Sequence, residues 1–129
     1  MSDDEEKREI QRRMNSTIGR ATACHMSDTK WRKLLGALRE FGVGSLRWKF
    51  LRDERVFLAH VPAADAVLET CLGDVLPYPY GPYREIDWLE VPAEGMAGVA
   101  EALALVGEFP LQMTETGLRV VGYGWDPSN

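Results

Sequence analysis

At 129 residues, 45% hydrophobic and 27% charged, the chain has the length and composition of one ordinary globular domain. Its formal net charge of −5 argues against the basic surface that nucleic acid or an anionic membrane requires, so neither is expected as a partner. A domain of this size buries roughly two thirds of the surface of its unfolded chain, and the two cysteines, Cys24 and Cys71, are too few for an extracellular disulfide scaffold.

The chain opens Met1-Ser2-Asp3-Asp4-Glu5-Glu6, the opposite of a basic secretory leader. No apolar run approaches the ~20 residues of a spanning helix. The expected location is the cytoplasm, with reduced thiols. Residues 1–22 read as a polar N-terminal helix whose start is open to fraying: acids come first and Arg12, Arg13 and Arg20 later, as a helix dipole favours. Ile10, Met14, Ile18 and Ala21 form one narrow apolar stripe.

Residues 26–124 read as the core of a single domain covering 1–129. The spacing of Trp31, Leu34, Leu35, Leu38 and Phe41 predicts a helix over 28–41. Ser27 or Asp28 would cap it, Gly42 would stop it and Met26 would staple onto its first turn. Leu46, Trp48 and Phe50 alternate with Arg47 and Lys49, which predicts a half-buried strand over 46–52. The polar turn Asp53-Glu54-Arg55 joins it to a second strand, 56–61, as a hairpin. Residues 63–72 fit a short helix best, with a strand as the alternative. Residues 85–91 predict a strand ended by Pro92, and 94–107 a helix with Met96, Val99, Ala100, Leu103 and Val106 buried. Strands over 109–113 and 118–123 flank the turn Glu115-Thr116-Gly117, in which the glycine would be left-handed. This order predicts an α+β fold: a mainly antiparallel sheet of about five strands with helices packed on one face.

The stretch least explained by packing is Pro77-Tyr78-Pro79-Tyr80-Gly81-Pro82-Tyr83. Proline fixes the backbone, so rings here would be held at low entropic cost, as protein interfaces favour. Glu85 and Asp87 come next and would point the same way from a strand. Together, Tyr78, Tyr80, Tyr83, Glu85 and Asp87 form a candidate aromatic and acidic patch for a basic protein partner. The alternative is that the tyrosines fold back over the sheet edge.

Other constellations are weaker. Cys24 and His25 are adjacent, and His60 and Cys71 lie far off, which is not the paired spacing of a zinc site. Cys71 or Cys24 with His60 would make a nucleophilic dyad only if the fold joined them. Acid–base work could use Glu85, Asp87 and Glu90. On a strand Glu85 and Asp87 would point the same way, with Glu90 on the other face, and the first two would make a catalytic pair only at a suitable separation. No phosphate-binding or dinucleotide motif is present, and neither a cofactor nor a metal is expected.

Three segments carry a resemblance. Asp28-Thr29-Lys30-Trp31-Arg32-Lys33-Leu34, Ile86-Asp87-Trp88-Leu89-Glu90-Val91 and Gly117-Leu118-Arg119-Val120-Val121-Gly122-Tyr123-Gly124 together resemble a family of small bacterial proteins of unknown function. Those proteins share a Thr-Lys-Trp helix, an Ile-x-Trp-Leu strand and a terminal strand ending Gly-Tyr. In size, acidity and fold class the chain is also similar to immunity proteins that neutralise bacterial toxins. The expected function is that of a non-enzymatic protein-binding module, most concretely an immunity-type inhibitor. The alternatives are a small enzyme using a carboxylate pair or a Cys/His site, and a homodimeric regulatory or assembly subunit. The expected state is monomer or homodimer.

Overall fold

The computed structural model describes residues 23–51, 53–69, 72 and 82–124, with residues 5, 8, 9 and 12. Among the last four, which are helical, Arg12 pairs with Glu9 at 3.1 Å. The rest of the predicted helix over 1–22 lies outside the described residues.

Strand β1 (Ala23–Cys24) leads into helix α1 (Asp28–Phe41). Ser27 caps the helix as expected, its hydroxyl accepting the Lys30 N–H at 3.2 Å. Gly42 ends it at φ 95°, a left-handed conformation that an L side chain rarely adopts. Trp31, Leu34, Leu35 and Leu38 are buried, and Met26 ahead of the cap is buried with them. Phe41, at the end of the stripe, is 46% exposed.

The hairpin forms where the alternation predicts it, from β2 (Ser45–Phe50) and β3 (Val56–His60). Asp53 closes its turn by accepting the Arg55 backbone N–H at 2.9 Å. The ambiguous stretch is neither a full helix nor a full strand. It makes one 3-10 turn, Ala64–Ala66, and then an isolated bridge from Val67 to Leu72. A second 3-10 turn, Tyr83–Glu85, delivers the chain into β4 (Ile86–Pro92).

The predicted helix over 94–107 is much shorter. A 3-10 turn, Ala93–Gly95, precedes α2 (Val99–Ala104). Gly98 breaks the helix because its φ is +78°, with the Phe41 ring 3.3 Å from where a β-carbon would stand. Val99 and Leu103 are buried as predicted, whereas Val106 is largely exposed. Strands β5 (Leu111–Met113), β6 (Gly117–Val121) and β7 (Tyr123–Gly124) complete the chain.

Five strands form one antiparallel sheet in the order β3-β2-β4-β6-β5. With the helices, this is an α+β fold. The predicted terminal strand over 118–123 divides at Gly122. Its N–H donates to the Asp87 carbonyl at 2.7 Å, and a β-carbon there would lie 2.7 Å from the Ile86 carbonyl oxygen. Past that close approach, β7 leaves the main sheet and pairs with β1. Gly117 is not left-handed, contrary to expectation; only Gly42 and Gly98 have positive φ among the described residues. Glycine is needed there because a β-carbon would stand 2.0 Å from the Val91 carbonyl oxygen.

The register sorts the sheet into two faces. Leu46, Trp48, Phe50, Leu89, Val91, Leu118 and Val120 are buried and join the helical leucines in one core cluster. Arg47, Lys49, Leu58, Trp88, Glu90 and Arg119 occupy the opposite face.

Candidate functional site

A β-bulge decides what β4 presents. Phe50 pairs with Ile86, whereas Lys49 pairs with Trp88, so β4 carries one extra residue, Asp87, at this point. Ile86 and Leu89, three apart, therefore both turn into the core. Trp88 and Glu90 turn to the open face.

Glu90 is the pivot of that face. Its side chain is only 1% exposed, although it stands on the face opposite the core cluster. Its neighbours on either side are Arg47 of β2 and Arg119 of β6, both directly opposite it in register. Oε1 accepts from Arg47 Nη1 at 3.0 Å and from the Thr116 hydroxyl at 2.7 Å. Oε2 accepts from the Thr114 hydroxyl at 2.9 Å and from Arg119 Nε at 3.2 Å. Burial pushes the Glu90 carboxyl up, but the hydrogen bonds from Thr116, Thr114 and Arg47 and the charge of Arg119 together outweigh it. The result is a pKa below the ordinary value of 4.5. Glu90 is a carboxylate held ionised with both oxygens engaged, which suits an organising group better than a base.

The arginines are fixed in turn. Arg119 lies over the Trp88 ring, 3.8 Å from its centroid. Arg47 also donates to the Thr116 carbonyl at 3.1 Å. Beside them Leu58 is 66% and Val56 50% exposed. The face thus combines two positioned guanidinium groups, one indole and an apolar margin.

The predicted patch is distributed differently. Tyr83 is fully buried, and its hydroxyl donates to the Leu68 carbonyl at 2.7 Å, so its ring belongs to the core. Glu85 is also buried and lies in the 3-10 turn, not on the strand, so it does not share a strand face with Asp87. Asp87 is half-buried at the bulge. Tyr78 and Tyr80 lie outside the described residues.

Cys24 is exposed in the β1–β7 pair, its thiol 3.6 Å from the Met26 carbonyl. His60 is exposed at the end of β3, and Cys71 is outside the described residues. Among the described residues, no three His, Cys, Asp or Glu side chains cluster to hold a metal ion, and no helix is long and apolar enough to cross a membrane. A hollow of about 210 Å³ lies beside Phe41, Val43, Val91 and Glu94. Another, of about 410 Å³, lies between α2 and β5, lined by Leu103, Phe109 and Leu111. Among the described residues, neither is lined by a carboxylate pair.

The fold and this face define a small α+β domain with a pre-ordered arginine and tryptophan surface. In comparisons with known proteins the chain matches no family model, no curated protein and no solved structure.

Proposed function

We propose that the chain is a non-enzymatic protein-binding module, an immunity-type inhibitor that neutralises a bacterial toxin in the cytoplasm. The observation that carries the binding reading is the order of the open sheet face, with Arg119 held over Trp88 and both arginines anchored on Glu90. Tryptophan and arginine are the residues on which interfaces concentrate their energy. Anchors already held in place lose less entropy when a partner arrives.

The inhibitor part rests on the likeness in size, acidity and α+β class, and the resemblance to a small bacterial family belongs to the same proposal. The net charge of −5 would draw a basic partner from a distance. At contact, the arginines would meet its carbonyl and carboxylate groups.

The test is affinity capture with the purified chain, followed by calorimetry with the identified partner. Trp88→Ala and Arg119→Ala are expected to weaken binding about 10- to 100-fold, with the circular dichroism spectrum retained. Tyr80→Ala and Asp87→Lys probe the sequence-predicted patch in the same assay. Unchanged affinity in Trp88→Ala and Arg119→Ala would remove the sheet face from the interface. Turnover of a small molecule, without any stoichiometric protein partner, would overturn the binding-module reading.

A further inference from the structure

Among the described residues the main sheet has two edges, β3 and β5, and they are guarded unequally. Strand β5 has three residues, comes directly after Pro110 and runs into Thr114, whose hydroxyl is tied to Glu90. Strand β3 has five residues, Val56-Phe57-Leu58-Ala59-His60, with no lysine, no proline and no bulge against β2. Sheet edges are normally blunted by one of those devices, because a bare row of N–H and C=O groups pairs with other chains.

The register identifies which backbone groups point outward. The Val61 N–H donates to the Gly44 carbonyl at 3.0 Å, so Val61 turns its backbone toward β2. The period of two makes Ala59 and Phe57 do the same. Val56, Leu58 and His60 then direct their N–H and C=O groups away from the sheet. The side chains of these same three residues are exposed on the open face.

We infer that the β3 edge joins two copies of this chain, antiparallel across a two-fold axis at Leu58. That register sets Leu58 opposite Leu58 and Val56 opposite His60. The strand makes three hydrogen-bonded pairs, or about six inter-strand bonds at two per pair. The exposed leucine and valine are covered at the same time. A second copy is the occupant that charge favours. The strand carries no acid, lysine or arginine, so no like charges are opposed. The same register sets Glu54 opposite Pro62 of the second copy, whose carbonyl holds the Arg39 guanidinium at 3.4 Å. Symmetry supplies that carboxylate–guanidinium approach twice, and a two-fold contact closes on itself. The open faces of the two sheets become continuous, and the face around Trp88 stays free for another protein, so this inference stands apart from the inhibitor reading.

Sedimentation velocity on the full chain, from low micromolar to sub-millimolar concentration, tests it. The expected mass rises with concentration to twice that of one chain and no further. Leu58→Lys, a change at an exposed side chain, is expected to raise the dimer dissociation constant at least about tenfold, with the melting temperature unchanged at dilutions where both proteins are monomeric. Glu54→Lys and Arg39→Glu are each expected to weaken the dimer, and the double reversal to restore it, which reports the register apart from any effect on folding. A monomer at every concentration, masses that keep growing, or a dimer indifferent to Leu58→Lys would overturn the inference.

Discussion

A carboxylate taken out of water costs several kcal/mol unless its charge and lone pairs are met. Glu90 meets that condition with two arginines and two threonine hydroxyls. Because Arg47 and Arg119 remain about one third exposed, they lose less hydration than the carboxylate they serve. Removing the charge while keeping the shape isolates its role. Glu90→Gln is expected to destabilise the domain by about 2–3 kcal/mol at neutral pH, the scale of charge-assisted hydrogen bonds at a buried site. The Glu90 pKa is depressed on folding, so its contribution is fully present above the unfolded value near 4.5 and is lost as pH falls through the folded one. Chemical denaturation across pH checks this: native protein and variant are expected to differ most at neutral pH and to converge in acid. Equal differences at all pH values would refute the electrostatic account. A second residue-scale limit is steric. Gly117→Ala drives a β-carbon into the Val91 backbone and is expected to cost about 3 kcal/mol. Gly44→Ala, which meets nothing within 4 Å, should change stability little, and comparing the two melting curves separates close approach from glycine loss in general.

Elements with strong local signals were the legible ones. Helix α1 has a capping serine, a 3.6-residue apolar repeat and a stopping glycine, all within Ser27 to Gly42. Each is a short-range cause, so the prediction and the structure agree closely. Ser27→Ala is expected to cost about 1 kcal/mol by leaving the Lys30 N–H without its cap, which urea denaturation would measure. Strand β4 was legible as a strand but not by face. Ile86, Trp88 and Glu90 share a parity, yet the bulge at Asp87 sends Ile86 to the core and the other two outward. A bulge is a property of the pairing with β2, and that pairing joins residues about forty positions apart. The Glu90 cluster was hidden for the same reason, since Arg47, Thr114, Thr116 and Arg119 come to it from other strands and turns. The one available signal was an acid in an otherwise apolar run, Trp88-Leu89-Glu90-Val91. Tyr83 takes the alternative the sequence leaves open, folding back into the core, because proline spacing reports backbone stiffness, not the direction in which a ring points.

At the scale of the molecule, the first and last described strands are held against each other and against the middle of the chain. Cys24 pairs with Tyr123, the His25 N–H donates to the Gly122 carbonyl at 2.9 Å, and the Tyr123 hydroxyl donates to the Arg84 carbonyl at 2.6 Å. One phenol thus links β7 to the turn that opens β4, while its backbone pairs with β1. Burial first, then the nearby Cys24, Asp87 and Asp28, raise the Tyr123 pKa to about 12, with Arg84 opposing them. A raised acid favours the folded state only while it is protonated. Its contribution is therefore complete below the unfolded value near 10 and is lost as pH climbs toward 12. Tyr123→Phe keeps the ring and removes the hydroxyl, so it is expected to lose about 1 kcal/mol at neutral pH and to show a flatter alkaline decline. The difference in phenolate absorbance between native protein and variant tests the cause directly. No Tyr123 phenolate is expected until close to pH 12, appearing together with loss of the folded circular dichroism signal. A phenolate that forms near pH 10 with the fold intact would show that Arg84 is not held by this bond and that the strands at the two ends close without it.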